Sequence, residues 1–121
     1  MFHFDMDDYK FLKFFFYLTD VDAEAGPHVY VRGTHRGKRL GHLFPMRRLA
    51  NDEVKRSYGS ERILSLEDKA GGAFIEDTFG LHKGQPPTHK DRLVLQLGFA
   101  CRYYGFGNDI VDPTKLTMIA P

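Results

Sequence analysis

Two stretches of this 121-residue chain, Lys10 to Thr19 and Arg92 to Ala100, place large apolar side chains on every second residue. In the first, Leu12, Phe14, Phe16 and Leu18 share one face, while Lys13, Tyr17 and Thr19 share the other. In the second, Leu93, Leu95, Leu97 and Phe99 alternate with Arg92, Val94, Gln96 and Gly98. Successive side chains of a strand point to opposite faces, so a period of two calls for β-structure. A sheet wetted on one side would carry charge along that whole face. Here one face is uniformly apolar and the other mixes apolar with polar groups. That pattern predicts two covered faces, the mixed one forming the wall of a polar pocket.

The rest of the chain continues in short pieces. Thr19 to Pro27 has turn chemistry, and His28 to Arg32 reads as a strand stopped by Gly33-Thr34. Residues 34–45 are basic and contain glycine, which predicts a solvated loop. Pro45 to Tyr58 suits a short helix, with proline at its start and Gly59 just past its end. Arg62 to Glu67, Ala73 to Thr78 and Leu81 to Gly84 are further strand candidates, and the final twenty residues read as irregular. Short strands with one helix, and no internal repeat, predict a single all-β domain over residues 1–121, a sandwich or barrel.

Charge and cysteine content narrow the function classes. Lys+Arg of 17 against Asp+Glu of 16 leaves a net charge of +1, not the basic face of a nucleic-acid binder. The lone Cys101 excludes an internal disulfide or a multi-cysteine zinc site and fits a reducing, cytoplasmic setting. The start of the chain is too acidic for a signal peptide, and the aromatic run Phe14 to Leu18 is far too short to span a membrane.

His3 and Asp5 lie two residues apart, so on a strand both side chains share a face and can point at one ion. His82 is a candidate third ligand. Two histidines and a carboxylate on one side of a metal leave its other positions open, the arrangement of non-haem Fe(II) sites that use O₂. Arg92, on the mixed face, offers a planar fork for a carboxylate. Spacing alone is weak here, because with 6 His a His-x-Asp pair arises roughly half a time by chance. The same spacings also fit a surface His3 near a frayed end and a His82 packed at a strand terminus.

The wider text is more specific. The segment from Phe2 to Asp22 (FHFDMDDYKFLKFFFYLTDVD), then Gly26-Pro27 and Gly33-Thr34-His35-Arg36, resembles the phytanoyl-CoA dioxygenase family of Fe(II)/2-oxoglutarate oxygenases. So does Asp77 to Gly84 (DTFGLHKG) with Arg92 to Gln96 behind it. The resemblance runs from residue 2 to about residue 100. It implies a double-stranded β-helix (jelly-roll) core with one short helix. His3, Asp5 and His82 would be the iron ligands, and Arg92 would grip the distal carboxylate of 2-oxoglutarate. Lys13 and Tyr17 would be further cosubstrate contacts, and Tyr9 could border them. Many relatives have a hydroxyl residue two positions after the distal histidine; here Gly84 stands there. The implied reaction consumes O₂, converts 2-oxoglutarate to succinate and CO₂, and hydroxylates a small organic or acyl substrate. Asp5 argues against halogenation, because halogenating relatives have a small residue in its place. Relatives also have a long region before the His-x-Asp motif, which this sequence lacks. Its helices would cover the apolar faces of Leu12/Phe14/Phe16/Leu18 and Leu93/Leu95/Leu97/Phe99. Left bare, those eight side chains, each worth about 1.5–3 kcal/mol when buried, would be a liability, so the expectation is either an N-terminally truncated fragment or a second copy or chain covering that surface.

The remaining candidates read more simply. His28 and His35 are expected to be structural or exposed, His42 and His89 are given no role, and Gly71-Gly72 is a turn. Arg32 to Arg39 with Arg47 and Arg48 form a basic cluster, a solvated loop or a seat for a phosphate-bearing substrate. Cys101 has no activating neighbour in sequence. The alternative to an oxygenase is a catalytically silent jelly-roll module for binding or oligomerisation that keeps the ligand set by descent.

Overall fold

The structure, a computed structural model, describes residues 1–102. The irregular tail expected of the last twenty residues therefore lies almost wholly outside the described residues. Six strands form two antiparallel three-stranded sheets: β1 (Phe11–Tyr17), β2 (His28–Val31), β3 (Ile63–Leu66), β4 (Ala73–Glu76), β5 (His82–Gly84) and β6 (Val94–Ala100). One sheet has the order β4-β1-β6 and the other β3-β2-β5, an all-β, jelly-roll-like arrangement. Two helices complete it, α1 (Leu40–Leu43) and α2 (Asn51–Tyr58).

The alternating stretches became β1 and β6, paired along their full length from Phe11↔Ala100 to Tyr17↔Val94. On the other side of β1, Lys13 lies opposite Glu76 and Phe15 opposite Phe74. Lys13, Phe15, Tyr17, Phe74 and Glu76 therefore share the face that looks toward the second sheet. Arg92 falls just outside the strand, and its guanidinium donates to the carbonyl of Gln85 at 3.2 Å.

Two expectations give way. The helix predicted from Pro45 is confined to α2, because Leu49 pairs with Phe2 through two backbone hydrogen bonds of 2.8 and 2.9 Å and is held extended. The predicted loop over residues 34–45 contains α1, a single helical turn whose buried His42 contacts the Tyr58 hydroxyl at 2.9 Å.

The main core lies on the outer side of β3-β2-β5. Phe2, Phe4, Val29, Val31, Leu49, Val54, Tyr58 and Leu81 cluster there, so α2 and the Phe2–Leu49 bridge cover that sheet. The outer face of β4-β1-β6 differs from the prediction of two covered faces: Leu12, Ile75, Leu95, Leu97 and Phe99 are 43% to 61% exposed. Among the described residues no element packs across it. Between the sheets lies a cavity of about 410 Å³, lined from both sides.

Candidate metal centre

Backbone pairing brings the two ends of the motif together. His3 and His82 form an antiparallel bridge, with N–H···O distances of 2.9 and 2.8 Å in the two directions, and the Asp5 amide donates to the Thr78 carbonyl at 2.8 Å. The imidazoles of His3 and His82 consequently lie side by side, ring centres 4.4 Å apart. His3 Nε2 is 3.9 Å from Asp5 Oδ1, and His82 Nε2 is 3.6 Å from Asp5 Oδ2. One ligand atom from each of the three lies within 4.8 Å of the others. Atoms each about 2 Å from a common ion stand no more than about 4 Å apart, and the 3.6 and 3.9 Å separations fall within that limit.

The donors also carry the right chemistry. His82 Nδ1 lies 3.0 Å from the Gly80 carbonyl oxygen, which only accepts, so the proton sits on Nδ1 and the Nε2 lone pair faces the centre. His3 Nδ1 is buried without a partner. Burial pushes the His82 imidazole below the usual histidine range, despite the Gly80 bond and nearby carboxylates. Burial likewise lowers His3, reinforced by His82. Burial would raise the Asp5 carboxyl, but the Lys13 hydrogen bond and the His82 charge hold it below its ordinary value. Neutral imidazoles and an ionised carboxylate are the states a divalent ion takes. The residues fit such an ion.

Lys13 Nζ donates to Asp5 Oδ2 at 2.6 Å and stands 2.9 Å from Asp7 Oδ2. It lines the cavity with the three ligand candidates, Tyr17 and Arg92. The Tyr17 hydroxyl is already engaged, donating to the Leu66 carbonyl at 2.6 Å and accepting from the His28 amide at 3.4 Å, so the ring rather than the hydroxyl faces the cavity. Tyr9 is exposed and lines a separate hollow. Gly84 has a clear steric reason: a Cβ there would lie 3.0 Å from Arg92 Nη2. The guanidinium occupies the space that a hydroxyl side chain would otherwise claim. Gly26, at φ +74, allows a still closer contact with the loop leading to Arg92, since a Cβ would come within 2.3 Å of the Gln85 oxygen.

Two residues of the centre escaped the sequence reading. His28, expected to be structural or exposed, lines the cavity with its ring stacked on His82 at 5.5 Å. Glu76, never singled out, is 4% exposed, with Oε2 2.7 Å from His28 Nε2. The only signal available was the alternation of Glu76 with Phe74 and Thr78, which puts it on an inward face.

No family model and no curated protein matches the chain. Among solved structures it is similar to HygX from Streptomyces hygroscopicus with nickel, 2-oxoglutarate and hygromycin B bound, at 18% identity and a TM-score of 0.52. The match covers 73% of this chain and 34% of that one. The apo form of HygX aligns at 21% identity and a TM-score of 0.50, with 73% and 36% covered. The chain thus spans about a third of the length of the protein whose fold it shares.

Proposed function

We propose that this chain carries the metal and cosubstrate centre of an Fe(II)/2-oxoglutarate-dependent oxygenase of the phytanoyl-CoA dioxygenase type, hydroxylating a small organic or acyl substrate. The observation that carries the reading is the convergence of His3, Asp5 and His82 on one point of a cavity that also holds Arg92. Its similarity in fold to HygX, which binds 2-oxoglutarate, supports it. When bound, the ferrous ion and 2-oxoglutarate would supply the oxidising power for hydroxylation by O₂. His3, Asp5 and His82 would hold the ion. Arg92 would bind the far carboxylate of the cosubstrate, and Lys13 would offer a second cation on the same wall. Phe15, Phe74 and Val94, which also line the cavity, would keep water from that end.

Adding Fe(II) and 2-oxoglutarate without oxygen should give a weak visible charge-transfer band, absent in His82→Ala, and admitting air should yield succinate. A folded protein with neither signal would favour the silent module. One observation speaks for that second reading: the Lys13 ammonium already sits on the Asp5 carboxylate, where an ion would supply the positive charge.

A further inference from the structure

Glu76 is the most deeply buried carboxyl group among the described residues, and the proposed reaction gives it no task. A charged group in that position is costly unless it is paired. Its neighbour across the ladder, Lys13, sends its ammonium to Asp5 and Asp7 instead. What faces Glu76 comes from the opposite sheet: His28 Nε2 at 2.7 Å from Oε2, and His82 Nδ1 at 3.6 Å from Oε1. Neither carboxyl oxygen has an in-line hydrogen bond, and nor does His28 Nε2. Buried polar atoms left in this state call for an explanation.

His28 is packed among three aromatic rings. Its ring lies 5.0 Å from Phe15 and 5.4 Å from Phe74, and it stacks on His82 at an interplanar angle of 16°. Fixing His28 therefore fixes one face of the His82 ring. The same carboxylate approaches the Nδ1 edge of His82, whose opposite nitrogen is turned toward Asp5. The Nδ1–H itself is held by the Gly80 carbonyl at 3.0 Å, and a carboxylate beside that bond adds to the ring's basicity while His28 braces its face.

We propose that Glu76 is the positioning carboxylate of the metal centre, acting from the facing sheet through His28 to hold His82 in its ligating orientation. The proposal rests on the metal centre proposed above. It makes His28 and Glu76 a unit: two polar residues at facing positions of opposed sheets, beside the rings of Phe15 and Phe74.

The test uses the full chain and Co(II) alone, with affinity read by calorimetry and ligand geometry by the visible Co(II) spectrum. Glu76→Gln and the double variant His28→Leu/Glu76→Leu are compared with wild type and His82→Ala. Replacing both partners by apolar groups of similar size leaves no buried orphan, so the double variant keeps the fold even where the single one weakens it. The expected result is a Co(II) affinity lowered about tenfold or more in both variants, with shifted visible bands, at a wild-type far-UV spectrum. Wild-type affinity and bands in the folded double variant would overturn the proposal while leaving the metal centre standing. A folded wild type that takes up no Co(II) would remove the centre itself, and the role of Glu76 with it.

Discussion

The two sheets are built alike and covered differently. On the outer side of β3-β2-β5, Val29, Val31 and Leu81 meet α2 and the Phe2–Leu49 bridge, and all of them are buried. On the outer side of β4-β1-β6, Leu95, Leu97 and Phe99 stand largely in the open. The candidate ligands divide along the same line. His3 and His82 are tied to the covered sheet by backbone pairing, whereas Lys13 and Tyr17 belong to the bare one and Arg92 leads into it. His3 and His82 draw their rigidity from a packed core, whereas Lys13, Tyr17 and Arg92 draw theirs, among the described residues, from ladder hydrogen bonds and the inner aromatic layer.

The largest effect should come from the core. Leu49→Ala or Leu81→Ala removes a fully buried side chain and should cost about 2–5 kcal/mol in urea unfolding. Leu97→Ala on the bare face should cost about 1 kcal/mol or less. Leu95→Lys and Leu97→Lys should leave the fold intact and improve solubility, whereas Val31→Lys should abolish folding. Equal losses on the two faces would mean that something covers the second sheet in solution.

A smaller effect separates metal from cosubstrate. Arg92→Ala should weaken 2-oxoglutarate binding about ten- to a hundredfold, the worth of a charged hydrogen-bonded pair, and leave the affinity for metal alone unchanged. Gly84→Ser should act in the same direction but less strongly, because its Cβ presses on a guanidinium that can still shift. Titration of each variant first with Mn(II) and then with 2-oxoglutarate reads the two steps apart. Loss of Mn(II) affinity in Arg92→Ala would show the two walls to be coupled.

How far the sequence announces this arrangement depends on the range of the interaction that makes it. The i, i+2 spacing of His3 and Asp5 and the alternation of β1 and β6 are local, so both can be read directly from residue order. The covered or bare state of each sheet is not local. Leu49 looks helical in its own segment and is extended only because Phe2 pairs with it. Glu76 and His28 each look unremarkable, since alternation shows which side chains face inward but not which inward residues meet across two sheets. Tyr17 shows the converse: its position on the polar face was legible, but the capture of its hydroxyl by Leu66 and His28 was not.

The last effect is one of pH, and it belongs to the covered sheet. Lys38 extends over the Phe4 and Phe79 rings, at 4.5 and 3.9 Å from their centres, and donates to the carbonyls of Thr34 and Phe79. Burial in this apolar seat lowers its pKa from 10.5 to about 8, against a weaker opposing pull from Asp77. Between those two values the unfolded chain binds the extra proton and the folded chain does not, so stability rises with pH across that window and levels off above it. Lys38→Met keeps the stem over both rings and removes the titrating group. The urea midpoint of wild type should climb from pH 8 to pH 10 relative to that of the variant, on a background of other titrations common to both. Parallel curves would place the Lys38 ammonium in water, and the seal that Phe4 and Phe79 make at that edge of the core would then be looser than their packing suggests.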